Sequence, residues 1–171
     1  MTLVALTVTA ALAGGCSRSD EGGDDPASSA AAGPSSPAPL GPFFGECGSV
    51  SDDEVRSAFA VSALPMVWRN SVGCVWEAAG PTGPSVSFSW YRGSPIGREA
   101  AGSGLIGRPA EQIEIAGHSG FMGQADGLCE IGVQYDQDFF HWSVTYGALP
   151  SLAPPCDVAR KLAELTASRT K

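Results

Sequence analysis

The sequence predicts an α+β domain built on an antiparallel sheet of five to six strands, with an N-terminal and a C-terminal helix packed on one face. Three observations predict this class. Apolar residues recur with helical spacing near Val55 and again after Pro155. Between these segments they mostly alternate with polar residues, which is typical of antiparallel strands with one buried face. A helix, a run of strands and a final helix favour the α+β class over alternating βαβ units.

The first residues of the chain resemble a bacterial lipoprotein signal. An apolar run from Leu3 leads into the sequence Leu12-Ala13-Gly14-Gly15-Cys16, which is similar to the lipobox whose cysteine is lipidated and becomes the first mature residue. The run has the length of a signal-peptide core and is shorter than the roughly 20 residues that a membrane span needs. We therefore predict a signal peptide over residues 1–15 and a diacylglycerol- and palmitate-bearing Cys16. An ordinary secretory signal with a chance cysteine is the alternative.

Two details of this segment depart from the lipobox pattern. Leu12 stands four residues before Cys16, where the pattern usually has leucine three before. No Lys or Arg precedes the apolar run, although export signals carry positive charge there. The second detail predicts that translation starts upstream of Met1.

Residues 16–40 are predicted to form a tether. After Cys16 this stretch consists mainly of Ser, Ala, Gly, Pro and acidic residues, which cannot bury enough apolar surface to become ordered. A flexible chain of this length spans roughly 27 Å on average. Residues 41–171 are long enough for one hydrophobic core and are predicted to form a single globular domain. The formal net charge of −8 argues against a nucleic-acid partner.

The first predicted helix has a clear start. Ser51 and Glu54 have the spacing of a capping box, in which each residue satisfies a free backbone N–H of the other. Val55 and Phe59 lie one turn apart and would share the buried face. Pro65 is predicted to end the helical region.

The predicted strands follow from alternation. Val72, Cys74 and Trp76 alternate first, and the segment ending at Trp90 has serines on its opposite face. Tyr91 to Pro109 is predicted to be a long connection that contains one helical turn near Arg98. Further strands are predicted at 112–115, 118–123, 128–135 and 139–146, followed by a last helix from about residue 155.

Four cysteines remain in the domain, and four cysteines permit three disulfide connectivities. Cys47 precedes the first helix and Cys74 lies in the first predicted strand, whereas Cys129 lies in a late strand and Cys156 opens the last helix. Pairing these neighbours would attach each helix to the sheet, so we predict Cys47–Cys74 and Cys129–Cys156. A four-cysteine metal site is disfavoured because no C-x-x-C spacing is present.

The motifs that could indicate catalysis are weak. Gly117-His118-Ser119-Gly120 departs from the G-x-S-x-G nucleophile elbow and lies between predicted strands, so a tight turn is the better interpretation. His118 and His141 are far apart and lack metal-ligand spacing, and Asp136 with Asp138 fits a hairpin turn better than a Ca²⁺ loop. We predict no catalytic residues, no metal and no cofactor.

The segment from Trp90 to Arg98 is the candidate contact surface. It places Tyr91, Arg92 and Arg98 in a predicted loop of an acidic domain, and aromatic and arginine residues are those that anchor interfaces. The alternative is that Trp90 completes the core and that both arginines pair with nearby acids.

Several blocks of the domain resemble one family. The blocks are Gly41-Pro42-Phe43-Phe44 leading to Cys47-Gly48-Ser49-Val50-Ser51-Asp52, then Asn70-Ser71-Val72-Gly73-Cys74-Val75-Trp76, Phe88 to Glu99, Gly117 to Phe121, Leu128-Cys129-Glu130 and Pro155-Cys156-Asp157. They are similar to the LprB family of mycobacterial and other actinobacterial lipoproteins, whose function is unknown. The resemblance implies a lipid-anchored protein on the extracytoplasmic face of the cell membrane. It carries over no catalytic residues.

These observations lead to one functional expectation and two alternatives. We expect a non-enzymatic binding or accessory module at the cell envelope, with an envelope protein, a lipid headgroup or a wall polymer as its partner. The first alternative is a carrier of a small apolar or lipid ligand, which would need a cavity between sheet and helices. The second is a hydrolase, which would need a nucleophile and a base in contact.

Overall fold

The computed structural model describes residues 39–61, 64–78 and 82–171. The predicted signal peptide, Cys16 and nearly all of the predicted tether lie outside the described residues. The elements in chain order are a short 3₁₀ turn (Glu46–Ser49), α1 (Asp52–Phe59), β1 (Met66–Asn70), β2 (Gly73–Glu77), β3 (Ser85–Tyr91), α2 (Ile96–Leu105), β4 (Glu111–Ile115), β5 (His118–Ala125), β6 (Leu128–Tyr135), β7 (Asp138–Thr145) and α3 (Pro155–Arg169).

The strands of the described residues form one antiparallel sheet of seven strands in the order β1-β2-β3-β7-β6-β5-β4. The expected count of five to six was too low because β1 was not predicted. In this edge strand the large apolar residues do not alternate toward the buried face of the sheet, because Trp68 points outward and is 61% exposed. A tight turn joins β1 to β2, and within it the Asn70 side chain accepts a hydrogen bond from the Val72 N–H at 2.9 Å.

One face of the sheet forms the hydrophobic core. Trp76 stacks on Trp142 with ring centroids 5.8 Å apart, and the Trp142 indole N–H donates to the Thr166 hydroxyl of α3 at 3.0 Å. Leu162 of α3 is completely buried against this layer. Each such side chain stabilises the fold by about 1.5–3 kcal/mol through burial alone. The layer between α3 and the sheet is therefore filled by side chains.

The first helix has the predicted cap. The Glu54 N–H donates to the Ser51 hydroxyl at 3.3 Å, and the Ser51 N–H donates back to the Glu54 carboxylate at 3.0 Å. The helix ends at Phe59, earlier than Pro65, because Ala60 adopts a left-handed conformation with φ of 57°. The ring of Phe59 packs 4.5 Å from that of Tyr146, whose hydroxyl donates to the Phe59 carbonyl at 2.8 Å.

The segment predicted to be a long connection contains α2, a helix of ten residues. This helix includes three glycines, and each makes a helix about 1 kcal/mol less stable than alanine does, so intrinsic propensity argued against it. The helix packs on β5 and β6 through Ser103, which lies against Glu130 on the sheet face opposite to α3. The helices of the described residues thus cover both faces of the sheet, and not only one.

Two disulfides attach the helical segments to the sheet. The structure joins Cys47 to Cys74 and Cys129 to Cys156, with Cα atoms 5.3 Å and 5.0 Å apart, which is the pairing that the sequence layout predicts. Each bond closes a loop between cysteines 27 positions apart. In the chain-entropy model such a loop contributes about 3–4 kcal/mol to stability.

The described chain enters the domain beside the β6–β7 turn. The Pro39 carbonyl accepts a hydrogen bond from the Gln137 N–H at 3.4 Å. Gly41 lies so close to the Tyr135 carbonyl and to Asp138 that an added Cβ would collide with both. Phe44 is buried among aromatic rings, including that of Phe140 at 5.1 Å. Among the described residues, no helix combines the length and the apolar character that a membrane span requires.

Candidate binding site

Three connections meet at one end of the sheet. Gly73 at the start of β2 pairs with Ser89 near the end of β3, and Tyr91 at the end of β3 pairs with Phe139 near the start of β7. The β1–β2 turn, the exit of β3 and the β6–β7 turn therefore lie at the same end. The chain also enters the domain at this end, which we call the entry end.

A cleft of about 430 Å³ opens at the entry end. Its apolar lining comes from Phe43, Val72, Phe88 and Trp90, and its polar lining includes the β1–β2 turn and the Glu46 side of the 3₁₀ segment. Ligand pockets typically combine a mainly apolar wall with a few polar groups in this way.

Aromatic rings form one wall of the cleft. The ring of Phe43 lies 5.3 Å from that of Trp90 and is 65% exposed, whereas Phe44, whose ring lies edge-on to Trp90 at 5.9 Å, is buried. The guanidinium of Arg92 lies 5.0 Å from the centre of the Trp90 ring, within the range of a cation–π interaction. Trp90 is thus enclosed on several sides, while Phe43 presents its ring to solvent.

A buried carboxylate holds this wall in place. Asp138 is fully buried and accepts hydrogen bonds from the Trp90 indole N–H at 3.2 Å and from the Gly93 N–H at 2.9 Å. The Arg92 Nε lies 3.6 Å from the same carboxylate. The single carboxylate of Asp138 thus holds the Trp90 ring and the loop that follows it through three contacts. A ligand would therefore meet a surface that is already ordered.

An ion-pair network forms the polar rim. Arg69 pairs with Asp52, and its Nε lies 3.3 Å from a Glu46 carboxylate oxygen. The Trp76 indole N–H donates to Asp52 at 2.7 Å, and this hydrogen bond, together with Arg69, lowers the pKa of Asp52 below its ordinary value. The positive charge of Arg69 is therefore matched by two acids, and Arg69 is not free to bind an anionic ligand.

Each residue of the predicted contact surface is engaged by a different neighbour. Tyr91 stacks on Phe139 with ring centroids 4.5 Å apart, and burial raises the pKa of its hydroxyl. Arg92 lies against Trp90 and Asp138 as described above. Arg98 lies in the first turn of α2, where it donates to the Ser94 hydroxyl at 2.8 Å. The role of these residues as a contact surface stays a prediction. The alternative, that the arginines pair with nearby acids, is favoured for Arg92, which lies beside Asp138.

The second polar cluster of the domain is buried beneath α2. Glu130 accepts hydrogen bonds from Ser103 and from the Arg108 Nε at 2.8 Å, and the His141 Nε2 lies 3.2 Å from its other oxygen. Burial acts to raise the pKa of Glu130, but the His141 and Ser103 hydrogen bonds and the Arg108 charge lower it to about 2. The serine contacts the acid and not the histidine, so the cluster lacks the serine–histidine contact that activates a nucleophile.

The remaining candidate motifs have structural roles. The predicted tight turn between strands is confirmed: Ala116 and Gly117 form it, and β5 begins directly afterwards at His118. The His118 ring stacks on that of Tyr135 with centroids 3.7 Å apart. Asp138 is occupied by internal donors. Within the described residues, no group of three or more His, Cys, Asp and Glu side chains could hold a metal ion.

Sequence reasoning missed the cleft itself. In the sequence, Phe43 stands out only as part of a block shared with a family, and no pattern singles out Arg69. One signal was available, because two adjacent aromatic residues, Phe43 and Phe44, stand in a segment without helical or strand pattern. Only one of two neighbouring rings can enter the core there, so the other must be exposed.

The fold and the cleft together define a class of protein. This is a disulfide-bonded α+β domain with an open surface cleft, and disulfides of this kind are typical of proteins in oxidising, extracytoplasmic compartments.

The chain belongs to a family of proteins of unknown function, DUF3558, whose model matches residues 11–169. It is also similar to proteins named as lipoprotein LprB, which confirms the resemblance seen in the sequence. The LprB protein of Mycobacterium bovis is 44% identical over 168 residues, covering 92% of this chain and 88% of the relative. The LprB proteins of Mycobacterium tuberculosis H37Rv and Mycobacterium leprae are 43% and 42% identical, covering 92% and 77% of this chain and 88% and 73% of the relatives. No solved structure shows a significant match to this chain.

Proposed function

We propose that the protein is a non-enzymatic binding module, anchored through a lipidated Cys16 on the extracytoplasmic face of the cell membrane, and that the cleft at the entry end is its binding site. The relatives named as lipoproteins support the anchor, as do the signal-like residues before Cys16. The two disulfides support an extracytoplasmic location.

The main support for a binding role is the exposed ring of Phe43, which lies on the ordered aromatic wall of the cleft. Phe43 is 65% exposed although its neighbours Trp90 and Phe44 are enclosed by the fold. Exposed aromatic side chains beside a cleft are frequent anchors of interfaces, since they bury a large area at a small cost in conformational entropy. A ligand that covers Phe43 would complete an aromatic cluster that the protein already holds in position.

The two alternatives have less support. A carrier of an apolar ligand needs space between α3 and the sheet, and that layer is filled by Trp76, Trp142 and Leu162. A hydrolase needs a nucleophile that its substrate can reach, beside an effective base. Ser103 is only 5% exposed, and its carboxylate partner Glu130 has a pKa of about 2, which makes Glu130 a weak base at neutral pH. These features favour the binding role.

Site-specific photocrosslinking in cells tests the proposal. A photoreactive phenylalanine analogue replaces Ser71, an exposed residue of the β1–β2 turn that lines the cleft, and a control chain carries it at Leu152. Leu152 is 64% exposed and lies beyond β7, at the opposite end of the sheet. We expect a discrete adduct from position 71 that Phe43→Ala removes and that position 152 does not form.

Two results would overturn the binding role of the cleft. One is the absence of an adduct from position 71 in cells where the protein is correctly located. The other is the same adduct from positions 71 and 152. Because Phe43 is mostly exposed, Phe43→Ala is expected to keep the melting temperature of the parent protein, which thermal unfolding checks.

A further inference from the structure

The entry end carries three large apolar side chains that face solvent. Leu40 is 57% exposed, Phe43 is 65% exposed and Val72 is 49% exposed. Phe43 and Val72 line the same cleft, and Leu40 lies between Pro39 and Gly41, both of which contact the β6–β7 region. We call these three side chains the entry patch. Exposed apolar groups that lie together at one end of a domain are candidates for contact with a partner or a membrane.

The entry patch lies where the chain from Cys16 reaches the domain. The described chain starts at Pro39, directly beside the patch, and only residues 17–38 separate it from Cys16. A chain of that length reaches at most about 75 Å even when it is fully extended. When Cys16 is lipidated, the patch therefore stays within that distance of the bilayer, and a tethered surface acts at a high effective concentration.

The composition of the patch fits the interfacial region of a membrane. Aromatic and aliphatic side chains are favourable at the boundary between headgroups and acyl chains. Trp90, with the Arg92 guanidinium 5.0 Å from its ring centre, adds an amphipathic side chain next to Phe43. The net charge of −8 gives no attraction to an anionic surface, so apolar contact has to supply the interaction.

We infer that the entry patch docks on the bilayer that carries the lipid anchor, so that the domain lies on the membrane surface with its cleft at headgroup level. The inference rests on the lipid anchor of the proposed function. Three partly exposed side chains bind a membrane only weakly by themselves. The covalent link to the lipid on Cys16 strengthens this contact because it raises the effective concentration of the patch at the bilayer. Phe43 belongs both to the cleft and to the entry patch, so the ligand that covers it would then be a component of the membrane surface itself.

Fluorescence quenching in liposomes tests the docking. The acylated protein, purified in detergent and reconstituted into phosphatidylcholine liposomes, is compared with the same protein in liposomes that contain brominated phosphatidylcholine. Trp76 and Trp142 are completely buried, and Trp68→Phe removes the exposed tryptophan of β1. Trp90, whose ring lies 5.3 Å from that of Phe43, then reports on the entry end.

A matched pair of variants identifies the surface. Leu40→Ser with Phe43→Ser removes most of the entry patch, and Leu149→Ser with Leu152→Ser removes two side chains of similar exposure, 56% and 64%, at the opposite end. We expect bromine quenching in the parent protein, a loss of about half or more of it in the first variant, and unchanged quenching in the second.

The possible failures are distinguishable. Liposome sedimentation measures the anchor: protein that stays in the supernatant lacks it, and the docking inference fails together with the anchor. Protein that sediments without bromine quenching keeps the anchor and overturns the docking alone. Equal loss of quenching in both variants would also overturn it, because the contact would then not involve the entry patch. Quenching in the Trp68→Phe protein is read before any patch variant is made, so misfolding of a patch variant cannot hide the result.

Discussion

Replacing Glu130 by glutamine removes the charge at the centre of the buried cluster beneath α2. Glu130 is 4% exposed and accepts hydrogen bonds from Ser103, Arg108 and His141. Glutamine has nearly the same size but carries no negative charge, and its NH₂ group donates where a carboxylate oxygen accepts. That NH₂ group would point toward the donors that surround Glu130. Breaking one partner of a buried ion pair costs about 3–5 kcal/mol, so Glu130→Gln is expected to be strongly destabilising at neutral pH.

The pKa of Glu130 gives an independent magnitude. It falls from an ordinary value of 4.5 to about 2 in the folded protein. Each pKa unit corresponds to about 1.4 kcal/mol, so the ionised carboxylate contributes about 3 kcal/mol to stability. Because the folded pKa is lowered, this contribution is present above pH 4.5 and is lost as the pH falls toward 2. By linkage, about 2 kcal/mol of it disappears between pH 5 and pH 3.

Urea unfolding at pH 5 and at pH 3, followed by tryptophan fluorescence, measures this effect. The parent protein is expected to lose about 2 kcal/mol more than Glu130→Gln between the two pH values, since the variant has no carboxylate at this position. Glu54, which also has a pKa of about 2, contributes equally to both proteins and cancels in the comparison. Glu114→Gln, at an exposed position of β4, serves as the control and should follow the parent protein.

The reasoning would be refuted if the parent protein and Glu130→Gln lost the same free energy between pH 5 and pH 3. The cluster would then not hold an ionised carboxylate that is stabilised by folding. A variant stability close to that of the parent at pH 5 would refute the claim that the Glu130 carboxylate belongs to a buried ion pair whose loss is strongly destabilising.

Two further predictions concern the disulfides and the predicted contact surface. Replacing Cys129 and Cys156 by serine should lower the free energy of unfolding by about 3–4 kcal/mol, and non-reducing peptide mapping of the parent protein should recover the two cysteines in one linked pair. Tyr91→Ala should lower the melting temperature because it removes the stack on Phe139, whereas Arg92→Ala should cost less than about 1 kcal/mol, since its guanidinium pairs at a half-exposed position. Unchanged stability of Tyr91→Ala combined with loss of a crosslinked partner would instead support the predicted contact surface.

Local signals in the sequence predicted much of the fold. The capping box at Ser51 and Glu54 located the start of α1, and alternation located β3, β6 and β7 to within one or two residues. These predictions succeed because a cap and a half-buried strand are determined by neighbouring residues. The disulfide pairing followed from the positions of the cysteines relative to those elements.

The two missed elements depend on distant residues. The helix α2 is rich in glycine and is held in place by Glu130, which lies on a strand well separated from it along the chain. The edge strand β1 places Trp68 toward solvent, so its apolar residues do not alternate with the buried face. Neither feature is visible in a local pattern, because the stabilising contact in each case comes from the assembled sheet.

The candidate site was predictable only in part. The sequence indicated aromatic and arginine residues after Trp90, and Trp90 and Arg92 do lie beside the cleft. It did not reveal that Phe43 would complete the cleft, since that contact joins the entry segment to β3 across the sheet end. A cleft formed by segments distant in sequence has no signature in any one of them.

The lipid on Cys16 is the claim on which the location and both proposals depend. Metabolic labelling with an alkyne analogue of palmitate tests it directly, with the parent protein and Cys16→Ser expressed in the same cells. We predict that the parent protein is labelled and found in the membrane fraction, and that Cys16→Ser is unlabelled and is either released into the medium or retained as the unprocessed precursor. An unlabelled parent protein, or a processed and unlabelled Cys16→Ser protein that remains in the membrane fraction as the parent does, would contradict the lipid anchor.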